Sequence, residues 1–480
     1  VPVVPRPSVR PLALVAVVGA AVTLPLLGGA SAPAAVERVP APVVGSPGIG
    51  DAYFPLDGNG GIDVRRYRIH DRYDFRTGRL SGRTRITLTA TTTLRRFNLD
   101  LLLGVDSVTV AGRPAAWRKP NRHELRIMPR RPLAAGRSVD VVVRYHGHPD
   151  RIAWQGERSW FADHAEVAAV NQPHIAPWWF PANDHPRDRA VVDVRITVPK
   201  DKRVISNGRL VSRRVHGRLA TTRWRAAEPM APYLAFFTAG SFQVASGRAD
   251  GRPWYHAVST RLPPSVRAGA MSQLRRTPEI VRWLEQRLGP YPFSTMGGVV
   301  SGVQTEFALE NQTRPVYAPY ATGTETVVHE LAHQWFGDSV ALHAWRDIWL
   351  NEGFATFMEW VWSETHGEGT ADARLRAYHA GREPSAWAFR IGDPGPGRLF
   401  DNEVYTRGAA TVQALRNRLG ETDFWAVVRA WLAERRSSTG TTAQLRAVAE
   451  RVSGQDLDAF FSAWLLSGKK PAATAAMGLG

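Results

Sequence analysis

The sequence predicts an α+β chain of two domains: an N-terminal antiparallel β-sandwich or saddle over residues 53–245, then a mainly helical domain over 246–468. Three observations carry that prediction. At 480 residues the chain exceeds what one ordinary core organises. From Tyr53 to about Ala245 apolar and polar residues alternate with a period of two between Gly, Pro and Asn punctuation. From about residue 265 the period changes to that of amphipathic helices.

Arg6 and Arg10 precede the apolar segment "PLALVAVVGAAVTLPLLGGASAPAA", which closes on small residues with Ala-x-Ala exits. A positive start, an apolar middle and such an exit predict an export signal over 1–34, or a membrane anchor if it is not cleaved. The opening valine points to an alternative start codon and a bacterial source. Residues 35–52, "AVERVPAPVVGSPGIGDA", are rich in Pro and Gly and are expected as a flexible lead-in. The segments "RYRIHDRYDF", "GRTRITLTATTT", "SVDVVVRYHG" and "AVVDVRITVP" are then expected as strands. "RAGAMSQLRRTPEIVRWLEQRLG" has helical spacing up to its glycine, "GGVVSGVQTEFALE" is strand-like, and helices are expected from 324 to 467. Residues 469–480 are expected as a frayed tail.

The net charge of +18 invites a nucleic-acid reading, but only five of the 61 basic residues are lysines and the arginines are spread through every element. Charge without a basic run speaks to solubility, and a nucleic-acid partner is not expected. The chain has no cysteine, which excludes disulfides and attachment of lipid through a cysteine.

The stretch "VVHELAHQWFG" (327–337) puts two histidines and a glutamate inside an apolar run. Thr322-x-x-Glu325 has the pattern of a capping box and Gly337 that of a stop, so 324–336 is expected as one helix. His329 and His333 then lie four apart on one face, near enough to grip one ion, with Glu330 beside them. A catalytic zinc takes three protein ligands and keeps a fourth position open. Glu352 follows His333 by nineteen residues, in "WLNEGFATFMEW", a second stretch of helical spacing. A short connection lets two such helices pack side by side and brings that carboxylate to the metal.

"HELAH", eighteen intervening residues and Glu352 within "WLNEGFA" resemble the zinc-dependent aminopeptidase N family, the branch that includes the leukotriene-hydrolysing enzymes. "WWFPANDHPRDRAVVDVRITVP", "VISNG" and "LGPYPF" are similar to other parts of that family, and the resemblance covers about 50 to 470. It implies a thermolysin-like catalytic domain, one zinc ion held by His329, His333 and Glu352, and peptide substrates with a free N-terminus. Glu330 would take a proton from the attacking water and pass one to the leaving amine. "VYTRG" (404–408) resembles the Tyr-x-Lys-Gly motif, which makes Tyr405 a donor to the developing oxyanion. "FALEN" (307–311) stands where the family has Gly-x-Met-Glu-Asn, so Glu310 would bind the substrate's α-ammonium, with Ala308 and Leu309 contacting substrate beside it. Gln172 in "NQPHIAPWWFP" resembles the glutamine that helps hold the same amine, one residue closer to the following Phe-Pro.

The departures carry expectations of their own. Phe307 replaces a glycine that lets backbone approach substrate, so the cleft is expected to be narrowed or reshaped there. Arg407 replaces lysine and keeps the charge. The resemblance implies that the catalytic domain closes near "DAFFSAWLLSGKKP" without the large helical domain that covers the cleft in many relatives, which implies a more open site. Asn311-Gln312-Thr313 has the form of a glycosylation sequon, which its place beside Glu310 makes a coincidence.

Overall fold

Eight strands form the largest sheet of the computed structural model, in the spatial order Arg209–His216, Leu219–Arg225, Val191–Pro199, Ile62–Asp74, Arg79–Ala90, Ser138–Gly147, Gly104–Val110 and Arg113–Pro114. The four segments with the clearest alternation therefore lie together at its centre. Along Ile62–Asp74 the inward set is Ile62 and Val64, then Tyr67, Ile69 and Tyr73, a change of phase at the register shift between Val64 and Arg66. Two four-stranded sheets flank it. One joins Val43–Val44, Leu94–Asp100, Glu124–Met128 and Ala116–Arg118; the other joins Trp160–Ala162, Val167–Ala169, Phe237–Gly240 and Arg203–Ser206. Pairing is antiparallel as expected except where Val191–Pro199 runs parallel to Ile62–Asp74 and Val43–Val44 runs parallel to Leu94–Asp100.

The structure describes residues 41–303 and 305–480, so the expected export signal lies outside the described residues. Two expectations for the ends are corrected. Within the lead-in, Val43–Val44 pairs as a strand and Asp51 is buried, accepting hydrogen bonds from His185 (3.0 Å) and the Trp345 amide (3.0 Å). In the tail, a short 3-10 turn at Ala475–Met477 is docked: Met477 and Gly478 offer carbonyls to Trp464 (3.2 Å) and Asn417 (2.9 Å), and Leu479 is buried. Composition reads both ends as loose because Pro, Gly and Ala carry no periodicity; their partners lie far away in sequence.

The expected boundary at 245/246 falls inside the strand Phe242–Ala249. This strand pairs with Arg252–Ser259, Met296–Val300 and Val316–Tyr317 in a sheet of the second domain, so the change of sheet comes at Gly240–Ser241. The long helical text after it divides into α1 (Pro264–Leu274) and α2 (Thr277–Leu288). Then follow α3 (Thr324–Ala332), α4 (Trp349–Thr365), α5 (Ala371–Gly381), α6 (Asn402–Leu419), α7 (Glu421–Glu434) and α8 (Thr442–Ser453). No helix among the described residues is long and apolar enough to cross a membrane.

Helix α4 is buried on nearly every side, as its text "WLNEGFATFMEWVW" requires, and it packs against α3, α5 and α6. Its crossing with α6 is very tight. A Cβ built on Gly353 would stand 2.8 Å from the Gly408 Cα, and one on Gly408 would stand 2.7 Å from the Gly353 Cα. Any larger residue at either position would push the helices apart.

Candidate active site

Helix α3 begins at Thr324 as expected and ends earlier than expected. Its N-cap is Gly323 with no side-chain cap, so the Thr322 capping box does not form. Glu325 instead accepts hydrogen bonds from Ser363 (2.8 Å) and Arg374 (2.9 Å), which tie α3 to α4 and α5. Regular helix stops at Ala332, and the chain turns through Gly337, whose φ is +120°. A Cβ there would meet the Asn351 side chain at 2.9 Å.

The turn still leaves His333 stacked after His329. Their Nε2 atoms approach to 2.9 Å, and Glu352 Oε2 lies 3.5 Å from His329 Nε2 and 3.4 Å from His333 Nε2. Each ring is aimed from behind. Glu359, two turns along α4 from Glu352, meets His329 Nδ1 at 2.5 Å, and the Phe336 carbonyl accepts from His333 Nδ1 at 3.0 Å. With both Nδ1 atoms engaged, the two Nε2 atoms and the Glu352 oxygen form a converging set of three donors. Two imidazoles and one carboxylate at this spacing fit a single zinc ion with a position left open.

The electrostatics agree with that fit. Burial lowers the His329 imidazole, but Glu352, Glu359 and Glu330 outweigh it and push it well above its usual range. The cluster calls for positive charge, which protons or a divalent cation can supply. Burial pushes the Glu330 carboxyl up to about 8 against the pull of both histidines. Burial and the carboxylates of Glu352, Glu310 and Glu330 hold the Tyr405 phenol protonated. Its ring lies nearly parallel to that of His329, with centroids 5.9 Å apart.

Gln172, Phe307, Ala308, Glu310, Thr326, His329, Glu330, His333, Glu352, Glu359 and Tyr405 line one cavity of about 290 Å³. Of the expected site residues only Leu309 is missing from it. Leu309 is buried in the core and pairs both of its backbone groups with Val316, so its expected contact with substrate is corrected. That pairing aims the flanking Ala308 and Glu310 at the cavity instead. Glu310 is buried and accepts from Gln172 Nε2 (3.0 Å) and the Tyr233 hydroxyl (3.1 Å). Phe307 lines the same wall, edge-on to Phe161 at 5.7 Å.

Three site residues escaped the sequence reading. Tyr233 reaches Glu310 from the β domain, Glu359 orients His329, and Gln334 accepts from the Thr313 amide (2.7 Å) and donates to the Glu310 carbonyl (3.0 Å). Glu359 was legible in principle, since it stands seven residues after Glu352 on one helix face. Tyr233 and Gln334 carry no local signal. Arg407 has a different role from a surface charge: it is buried, donates to the carbonyls of Trp387 (3.2 Å), Phe389 (2.6 Å) and Ser467 (3.2 Å), and stacks on Trp387. Asn311 is fully buried, so the sequon is not open to modification.

Known proteins place this arrangement. The chain matches the Peptidase M1 N-terminal domain over residues 65–234 and the Peptidase family M1 domain over residues 296–464. It is 28% identical to Aminopeptidase M1-A of Oryza sativa subsp. japonica over 61% of this chain and 36% of that one. With Aminopeptidase M1 of Arabidopsis thaliana the identity is 26%, again over 61% of this chain and 36% of the other. The chain thus spans a little over a third of the length of these curated relatives. Among solved structures, a two-domain M1 zinc metallopeptidase bound to L-tryptophan superposes with a TM-score of 0.81 at 26% identity, over 88% of this chain and 99% of that one. The M1 zinc metallopeptidase from Deinococcus radiodurans superposes with a TM-score of 0.80 at 26% identity, over 88% and 98%. With both of its domains matched in order and three metal donors converging in the second, the chain belongs to the M1 family of peptidases.

Proposed function

We propose that the protein is a zinc aminopeptidase that removes N-terminal residues from peptides. The observation that carries the reading is Glu310: a buried carboxylate, held by Gln172 and Tyr233, facing the three metal donors across one small cavity. A fixed negative charge at that place acts as a ruler, because only a chain end offers a positive charge one residue from the scissile bond.

When bound, zinc would polarise the substrate carbonyl and lower the pKa of the attacking water. His329, His333 and Glu352 would hold it. Glu330 accepts the proton released as water attacks and passes a proton to the leaving amine. Tyr405, kept protonated by its surroundings, donates to the oxygen on which negative charge develops. Glu310 holds the α-ammonium and so sets which bond lies over Glu330. Phe307 and Phe161 shape the wall beside the first side chain. Cleavage of Tyr-Ser-Ala-type peptides is consistent with this reading, since the Deinococcus radiodurans relative is described bound to a Tyr-Ser-Ala substrate. Export through residues 1–34 belongs to the same proposal and is supported by their composition; N-terminal sequencing of the mature protein checks it.

Hydrolysis of aminoacyl fluorogenic amides, run beside their N-acetylated forms with and without a chelator, tests the assignment. Chelator-sensitive cleavage of only the free-amine substrates is expected. Equal cleavage of the acetylated ones would overturn the role of Glu310 and leave a metallohydrolase of other specificity.

A further inference from the structure

The β domain holds a second convergence of buried imidazole and carboxylate that the proposed chemistry does not use. Asp100 ends the strand Leu94–Asp100 and pairs in register with Glu124, which opens Glu124–Met128, and His123 directly precedes it. All three side chains are 0–1% exposed, and their donor atoms lie within 4.8 Å of one another. His123 Nδ1 stands 3.6 Å from Glu124 Oε1 and 3.8 Å from Asp100 Oδ1.

We propose that His123, Glu124 and Asp100 form a second metal site, which takes one divalent transition-metal ion of the zinc class, with Asp57 as a neighbouring carboxylate.

The first support is spacing. At 3.6 and 3.8 Å the imidazole nitrogen is too far from either oxygen for a hydrogen bond. Both distances are close to the edge of a tetrahedron with metal–ligand bonds of about 2.1 Å, roughly 3.4 Å. The three donors near Glu352 show similar separations, 2.9 to 3.5 Å.

The second support is the number of polar atoms left without a partner. His123 Nδ1, both carboxylate oxygens of Glu124, Asp57 Oδ1 and Asp184 Oδ2 are all buried and make no hydrogen bond. Buried polar groups are normally satisfied, and the three such atoms of His123 and Glu124, converging with Asp100, call for a ligand. A bound cation would give His123 Nδ1 and the Glu124 carboxylate the partner that burial denies them.

The donors are also held in place. Asn121 accepts from the amides of both His123 (2.9 Å) and Glu124 (2.7 Å). Asp100 accepts from Asn59 (2.8 Å), the Gly58 amide (3.1 Å) and the Asp184 amide (2.7 Å). The Trp154 ring stacks on His123 at 5.2 Å and closes that side. An imidazole among carboxylates selects zinc and its neighbours over calcium and magnesium, which prefer oxygen alone. The position has a consequence too. Asp57 accepts from His174 at 2.6 Å, and His174 lies two residues after Gln172, so the ion would brace the loop behind the Glu310 subsite.

The test is a metal count on purified His329→Ala/His333→Ala protein, which has lost the donors near Glu352. By mass spectrometry after gel filtration from micromolar zinc, about one ion per chain is expected, against about two in the wild type. No ion in the double variant would overturn the site. A zinc-edge anomalous map of the crystallised double variant should place its peak between His123 and Glu124; a peak elsewhere would also overturn it. Glu124→Gln in the otherwise wild-type chain should lose one ion and lower the Tm. Protonated carboxyls without a metal predict the opposite sign, an unchanged count with an unchanged or raised Tm, because the substitution then removes a buried acid. Should Glu124→Gln not fold, the count and the map on the double variant decide alone.

Discussion

The two ends of the cavity are built in different ways. At the metal end His329, His333, Glu352 and Glu359 come from α3, the turn that ends it, and α4, consecutive helices packed against each other. At the amine end the hydrogen bonds that hold Glu310 come from residues 138 and 77 positions away, Gln172 and Tyr233, across the boundary between domains. The metal end is therefore as rigid as one packed helix pair, while the amine end depends on how the β domain sits against the catalytic one. Chemistry should fail when the first end is damaged, and selection of the chain end should fail when the second is.

The sharpest division comes from Glu330→Gln, expected to keep its metal and lose about 10²- to 10⁴-fold in kcat. Metal analysis beside turnover checks it, and near-full turnover would remove Glu330 as the base. Tyr405→Phe should cost about 10²- to 10³-fold in kcat with little change in KM, since its donor acts on charge that develops only during reaction. Tyr233→Phe acts at the other end: losing a hydrogen bond to a charged group should raise KM for free-amine substrates about tenfold, with kcat less affected. A kcat loss equal to that of Tyr405→Phe would show that the two ends do not act separately.

The smallest effect sharpens the comparison through stability. Burial raises the Asp51 carboxyl, but hydrogen bonds from His185, Trp345 and Tyr53 outweigh it and hold it at about 2, against the ordinary 3.8. A depressed acid adds stability that is fully present above its unfolded pKa and is lost as pH falls through its folded one. Part of the stability should therefore disappear between about pH 4 and pH 2. Asp51→Asn should flatten that portion of the stability–pH curve in denaturant titrations. Because Asp51 links the first described segment, the β domain and the start of the 3-10 turn before α4, this loss should reach the amine end first.

What was legible in the sequence follows the same division. The two-domain order, the central strands and the metal donors show through local periods: two for Ile62–Asp74, four between His329 and His333. The cap and the C-terminal end of α3 were misplaced because tertiary contacts took the groups concerned. Glu325 serves Ser363 and Arg374, and Phe336 gives its carbonyl to His333. Leu309 was taken for a wall residue because the motif is contiguous, yet alternation along an extended segment sends it to the core while its neighbours face the cavity. Tyr233 and Gln334 left no mark at all, since nothing in their own surroundings says what lies opposite once the chain is folded. Gln172 was within reach only through likeness to a family.

The contact between Gly353 and Gly408 leaves no room for even one methyl group. Glu352 and Tyr405 are direct or near neighbours of those glycines, so their separation is set by two backbones in contact rather than by side chains that drift can exchange. On the proposed function, mutation of the Phe307 wall would change which substrates are admitted while the reacting groups keep their alignment. The protein's specificity can thus evolve or be redesigned as a matter separate from its catalytic geometry, so long as those two glycines stay.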